Sequence, residues 1–387
     1  MNKLSILFLS SWYPNEISGQ NGNFIQQHAR AVSLYCNVAV LHVQGKDQQD
    51  TVKITKVYNE GVYEVIVYYK RLNSNSILSY YSKRQKQHKA FLEGYTQVLK
   101  ELKSIDLIHL NVVLPAGFFA VYLNNKFNIP FIITEHSTVF LDSNPLNHNF
   151  IEKYFVKKIT KSADYICPVS VDLKNAMVKY GIYGKFVVIP NVVNTKIFQL
   201  NKNKNSKKIN ILHVSTLVDR HKNIKGIINV IKKLSNIRTD FVFHVIGDGD
   251  VEKIREYANE VKLGKTFFNF QNQKSSEKIA EAMQSSHLFL MFSNYENSPC
   301  VISESLVSGI PVIATDVGGI KEMISKKNGI LVEAQNENEL LVAINQLLDN
   351  LSEYDGEKIS TAAKIKYSYE NIGKQYLNLY RKAINFE

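Results

Sequence analysis

The chain has 387 residues, 45% of them hydrophobic, with 47 Lys and Arg against 35 Asp and Glu, a formal net charge of +12. This length suits two or three domains with sizeable cores, and no apolar run approaches the roughly 20 residues that a membrane-spanning helix needs. The three scattered cysteines, Cys36, Cys167 and Cys300, show neither metal nor redox spacing and fit a reducing cytoplasm.

The N-terminus, MNKLSILFLSSWYP, is basic and then apolar. Its apolar run, Leu4 to Leu9, is shorter than the core of a signal peptide, so it is read as a first buried strand. Short apolar runs then recur along the chain. The first half holds LSILFLS, VAVLHV, VYEVIVYY, DLIHLNVV, PFIITEH, ADYICPVS and KFVVIP; the second holds KINILHVST, DFVFHVIG, TFFNFQ, HLFLMFS, IPVIAT and GILVEA. Most are unbroken rather than alternating, which marks strands buried on both faces. Helix-length segments such as NFIQQHARAVSLY and EKIAEAMQSS lie between many of them. Repeated strand–helix–strand units predict doubly wound parallel sheets, and this many strands predicts two sheets rather than one.

The polar segment QLNKNKNSKKIN, residues 199–210, has linker composition. The expected organisation is a first Rossmann-like domain over 1–198, a second over 199–366, and a C-terminal helix over 367–387. In that last segment Ile372, Tyr376, Leu379, Tyr380 and Ile384 follow helical spacing. Ligands of such sheets bind at the carboxyl ends of the strands, so two domains facing one another across a cleft would hold one substrate on each wall.

The charge is unevenly placed. Residues 1–200 carry 22 Lys and Arg against 13 Asp and Glu. Within residues 68–103, eight basic groups (Lys70, Arg71, Lys83, Arg84, Lys86, Lys89, Lys100, Lys103) face only Glu93 and Glu101, with Tyr68, Tyr69, Tyr80, Tyr81, Phe91 and Tyr95 interleaved. Two readings stand: a solvated basic helix, or a peripheral contact with anionic lipid headgroups, each base near such a surface being worth roughly 1 kcal/mol. Nucleic acid is set aside because no nucleic-acid-binding module is recognisable.

The most informative stretch is NYENSPCVISESLVSGIPVIATDVGGIKE, Asn294 to Glu322. HLFLMFS reads as a strand, NYENSP as a loop, and Cys300 to Ser308 as a helix ended by Gly309, with Pro299 near its first turn. Glu296 falls on the loop and Glu304 about one turn into the helix. The backbone of residues 298 to 301 forms a helix N-terminus, which suits phosphate. Two carboxylates beside a phosphate site make sense if they accept hydrogen bonds from hydroxyls on either side of it. A nucleotide sugar has that layout: ribose, diphosphate, sugar.

The stretch resembles the signature of glycosyltransferase family 4, the retaining transferases with a GT-B fold: Glu296, seven residues, Glu304, then Gly309, Pro311, Gly318, Gly319 and Glu322. The likeness extends to HVSTLVDRHKNIKG, VIGDGD, PVSVDLKNAMVKYG, VVIPNVVNTKIF and SSWYPNEISGQNGNFIQQHARAV. It implies that Glu304 holds the ribose hydroxyls and Glu296 faces the transferred sugar. Backbone at Pro299, Cys300 and Val301 would contact the diphosphate or sugar. Lys222 matches a phosphate-binding lysine, where a positive charge offsets the charge growing on the departing diphosphate. Gly22 would let backbone approach the phosphates or acceptor. His136, at the end of PFIITEH, would line the cleft from the first domain, and Gly247 and Gly249 belong to the loop on the base side. One departure is plain: the family pairs that lysine with an arginine six positions earlier, where this chain has Thr216; either the nearby Arg220 substitutes or the site uses one cation fewer. Asp248 and Asp250 form a D-x-D pattern, which other transferases use to hold a divalent cation; the resemblance implies a metal-independent enzyme with no cofactor.

The expected activity is retaining transfer from a UDP- or GDP-sugar to a hydroxyl of a glycan or lipid-linked acceptor, in the cytoplasm or at the inner membrane face, with cell-surface polysaccharide as the product. An epimerase of the same fold would consume donor without acceptor, a phosphorylase would need free phosphate, and a non-catalytic sugar- or nucleic-acid-binding module would show no turnover.

Overall fold

The computed structural model describes residues 3–47, 51–71, 77–141, 149–201 and 206–385, with the side chains of 77–81 outside that description. Among these residues the strands form two sheets. The first contains β1 (Ser5–Ser10), β2 (Asn37–Lys46), β3 (Lys53–Asn59), β4 (Val62–Lys70), β5 (Leu107–Asn111), β6 (Phe131–Glu135) and β7 (Tyr165–Pro168), in the order β3-β4-β2-β1-β5-β6-β7. The second contains β8 (Ile209–Ser215), β9 (Phe241–Gly247), β10 (Phe268–Asn272), β11 (Leu288–Met291), β12 (Val312–Thr315) and β13 (Gly329–Val332), in the order β10-β9-β8-β11-β12-β13. Every pairing is parallel except β3 with β4.

The unbroken apolar runs are the inner strands. All residues of β1, β5 and β6 are buried, because helices cover both faces of a parallel sheet. Two expectations fail at the margins. KFVVIP is not a strand; Phe186 makes a single parallel bridge to Ile166. The strand that sequence reading missed is β3, KITKVYN, an exposed antiparallel edge. Its mixed polar pattern follows from having one side open to water. The 199–210 segment joins the sheets, β8 begins within it at Ile209, and residues 202–205 lie outside the described residues.

The helix Tyr369–Ala383 crosses to the first sheet and buries Ile372, Tyr376, Leu379 and Tyr380 there, beside the helix Asn23–Ser33. Gly373 permits that approach: a Cβ on it would lie 2.2 Å from the Ala31 carbonyl oxygen. The helix also carries hydrogen-bonding groups into the core. His109 sits between the Tyr380 hydroxyl (2.7 Å) and the Thr134 hydroxyl (2.6 Å), and Thr134 meets the Tyr376 hydroxyl at 2.9 Å.

The basic stretch 68–103 divides differently from its sequence pattern. Tyr68, Phe91 and Tyr95 are core residues, and Arg84 places its guanidinium over the Phe118 ring. The helix Ile77–Leu102 lays Ala90, Phe91, Tyr95 and Val98 on the sheet and turns Lys86, Lys89 and Lys100 to solvent. Helical amphipathicity explains the split. An aromatic membrane face is therefore not available from Tyr68, Phe91 or Tyr95; the side chains of Tyr80 and Tyr81 lie outside the described residues.

Candidate active site

In each sheet the strand order reverses beside its first strand, between β1 and β5 and between β8 and β11. Such switch points open crevices at the carboxyl ends of the strands. The two crevices meet in one cavity of about 390 Å³, lined by residues of both halves.

The second half supplies the chemistry-bearing wall. The loop after β11 brings Glu296 into the cavity, and the helix Cys300–Val307 follows, with Pro299 as its N-cap. Residues 298 to 301 line the cavity, so the helix tip opens on it. The first N–H groups of a helix have no partner within it and carry partial positive charge. Lys222, after β8, reaches the same place and donates to the Glu296 carboxylate. Both side chains are buried, Glu296 at 5% exposure and Lys222 at 8%. Burial alone would raise the Glu296 carboxyl; Lys222 and His221 outweigh it and hold the group below its ordinary value. Glu296 is thus ionised at neutral pH and paired.

Glu304 lines the same cavity in a different state. It has no side-chain partner among the described residues, and burial pushes its carboxyl up to about 7. The two glutamates of the motif therefore differ through their surroundings: one is neutralised by a cation, the other is poised to gain or lose a proton.

The paired glycines of the motif have a backbone reason. Gly318, at φ +55°, packs onto the loop that carries Glu296 so tightly that a Cβ would lie 1.8 Å from the Glu296 carbonyl oxygen. Gly319 donates its N–H to the Asn297 carbonyl at 2.9 Å, and a Cβ on it would lie 2.4 Å from that oxygen. We expect Gly318→Ala to displace the Glu296 loop and to cost about 3 kcal/mol from left-handed strain plus overpacking. Thermal unfolding checks this, and an unchanged melting temperature would refute it.

From the first half, His136 directly follows β6 and lines the cavity. Its Nδ1 faces Asn191 Oδ1 at 3.1 Å, and its ring packs on Phe24. Burial, with the neighbouring His28 and His109 rings, keeps it well below the ordinary imidazole value.

Other expected residues fall out unevenly. Thr216 and Gly247 line the cavity, as does Asp248. Gly249 lies behind it, where a Cβ would strike the Thr216 carbonyl oxygen at 2.7 Å. Gly22 is not in the wall; Gln20 and Asn23 are. Its φ of +69° and its packing on the Trp12 backbone, 2.6 Å from a built Cβ, explain the glycine. Arg220 is exposed and is not among the residues that line the cavity, although its charge acts on the neighbouring His221. The neighbouring His221 is closer to the chemistry. Its ring stacks on Tyr295 at 4.3 Å, and its Nε2 lies 3.6 Å from Glu296 Oε1. Burial is the main cause that lowers its basicity, against the pull of Glu296. Asp250 is spent on structure: it caps the helix Val251–Glu260 through the Lys253 N–H and pairs with the Lys253 ammonium at 3.1 Å.

Sequence reading also missed the groups that join the two halves. Asn297 accepts from Ser170 Oγ at 2.8 Å and donates to the His136 carbonyl at 3.1 Å. Glu322 caps the helix Val171–Tyr180 of the first half, accepting from Val171 N and Asp172 N at 2.8 Å each. Asn297 and Glu322 stand inside the motif, but nothing local shows that their partners lie 127 to 161 residues away.

Residues 194–365 match the family model described as glycosyl transferases group 1, and residues 55–197 match that of glycosyltransferase family 4. Over 274 residues the chain is 32% identical to an uncharacterized glycosyltransferase of Methanocaldococcus jannaschii, covering 70% of this chain and 73% of that one. It is 24% identical over 290 residues to a putative teichuronic acid biosynthesis glycosyltransferase of Bacillus subtilis, covering 72% and 70%. Among solved structures, Anabaena HepE in complex with UDP superposes with a TM-score of 0.74 at 15% identity, covering 98% of this chain and all of that one. The chain belongs to glycosyltransferase family 4 and has the GT-B fold.

Proposed function

We propose that this transferase moves a sugar from a UDP- or GDP-sugar to a hydroxyl of a glycan or lipid-linked acceptor, with retention of the anomeric configuration, in cell-surface polysaccharide synthesis. The observation that carries the proposal is the meeting of Glu296, Glu304, Lys222 and the 298–301 helix tip in one cavity. The second domain holds the donor: the helix tip and Lys222 on the diphosphate, Glu304 on the ribose, Glu296 on the sugar. The first domain presents the acceptor beside His136. The likeness to a UDP-bound structure and to a protein named for teichuronic acid synthesis supports donor class and pathway.

No protein nucleophile is needed, since the departing phosphate oxygen can take the acceptor proton on the same face. Positioning and charge stabilisation supply the rate. The helix tip and Lys222 provide the positive charge that a metal would otherwise bring, so the reaction is metal-independent, and EDTA leaves the rate unchanged. Incubation with UDP- and GDP-sugars and glycan acceptors, with the product anomer read by NMR, tests the whole. An inverted product overturns the mechanism, and donor consumed equally without acceptor overturns transfer.

Glu304 gives a pH signature. Its carboxyl is protonated below about 7 in the free protein, whereas a ribose donating two hydroxyls favours the ionised form. Nucleotide binding must then expel a proton at low pH. Affinity for UDP or GDP falls from pH 8 to pH 6, by up to about tenfold per unit from this group. Calorimetry should find that Glu304→Gln removes that part of the slope; an identical slope in the variant refutes the assignment.

Membrane contact rests on the basic residues alone. No helix among the described residues is long and apolar enough to cross a membrane. Lys86, Lys89 and Lys100 face solvent on one long helix and suit peripheral attachment at the inner face. Sedimentation with vesicles should show binding that depends on anionic lipid; equal partitioning to neutral vesicles removes the claim.

A further inference from the structure

Asn191, 5% exposed, joins the two halves at the floor of the cavity. Its Nδ2 lies 2.7 Å from the Ser298 carbonyl oxygen, at the helix tip of the second half. Its Oδ1 faces two imidazoles of the first half, His136 Nδ1 at 3.1 Å and His28 Nε2 at 3.3 Å. A carbonyl oxygen only accepts, so the end of the amide that meets Ser298 must be the NH2. The other end is then the carbonyl, and the ring nitrogens facing it carry the hydrogens. Both rings are neutral, because burial holds His28 at about 4 and His136 well below its ordinary value. A neutral imidazole has one hydrogen. His136 Nε2 and His28 Nδ1 are therefore bare lone pairs, and both are buried without a partner among the described residues.

We infer that Asn191 is a positioning residue: held by the Ser298 carbonyl, it fixes the His136 tautomer so that Nε2 is left as an unpaired hydrogen-bond acceptor on a residue that lines the cavity. The ionised Glu296 carboxylate, on the wall that the second half supplies, is an acceptor too. A hydroxyl that reaches Nε2 donates to it, and a deoxygenated substrate leaves that buried lone pair unsatisfied. The arrangement also depends on closure. Asn191 belongs to the first half and Ser298 to the second, so separating them releases the amide, and the tautomer is assigned only when the helix tip is seated.

This role rests on the sugar-transfer reading, but its test does not. In full-length protein labelled with ¹⁵N-histidine and no substrate, His136 should show a protonated Nδ1 and a bare Nε2 at pH 7. Asn191→Ala should lose that signature, while His109, held by Tyr380 and Thr134, keeps its own and reports an intact fold. Asn191→Asp keeps an acceptor for His136 but repels the Ser298 carbonyl, so it should retain the Nδ1 proton. In transfer assays Asn191→Ala should lower kcat about tenfold to a hundredfold, the scale of a misplaced reacting group. A protonated Nε2 in the wild type, a signature unmoved by Asn191→Ala, or an unchanged kcat with the signature lost would each overturn the inference. Total absence of transfer by the wild type, with the spectra as expected, would instead sink the sugar-transfer reading.

Discussion

Glu296→Gln should lower the transfer rate by about 10²- to 10³-fold, the scale of removing one preorganised electrostatic contact, while nucleoside diphosphate affinity holds or improves. The reason lies in the pair. Glu296 accepts from the Lys222 ammonium. A neutral amide releases that ammonium toward a diphosphate but loses the anionic acceptor for the sugar. Binding and turnover therefore move in opposite directions. Calorimetry with UDP and GDP, set beside kcat with the matching donor, separates them. A joint loss of affinity and rate in equal measure would contradict the assignment of Glu296 to the sugar side.

Lys222→Met should weaken nucleoside diphosphate binding and also destabilise the fold. Removing one partner of a buried ion pair leaves the other charge uncompensated, which costs about 3–5 kcal/mol where water is excluded. Here the cavity admits water, so the lower end is expected. The combined Lys222→Met and Glu296→Gln variant removes both charges and should be less destabilised than the sum of the singles. Contacting residues are the ones whose effects fail to add. Urea unfolding of the four proteins gives the coupling. Simple additivity would mean that Lys222 and Glu296 do not share a charge in solution.

His221 sharpens the picture of this particular site. Where the family arginine is absent, at Thr216, the second basic group beside Glu296 is an imidazole stacked on Tyr295. An adjacent residue, Arg220, carries the permanent charge yet points to solvent. Neighbours on a short helical turn face different ways, and so a sequence offset could not choose between them.

The amino-acid order by itself determined the two parallel sheets, the position of the helix tip at residues 298–301, and the two glutamates that flank it. These are local properties: unbroken apolar runs encode strands buried on both faces, and the motif is contiguous. Tertiary structure alone decided that Glu296 is held by Lys222 with His221 beside it, that Glu304 has no side-chain partner among the described residues, and that Gly22 packs on the Trp12 backbone rather than lining the cavity. It also decided that Asn191 and Ser298, 107 residues apart, share a hydrogen bond. Periodicity reports how a segment is buried, not which distant segment it meets. A charge's state depends on its neighbours in space, and the packing of segments distant in the chain supplies them.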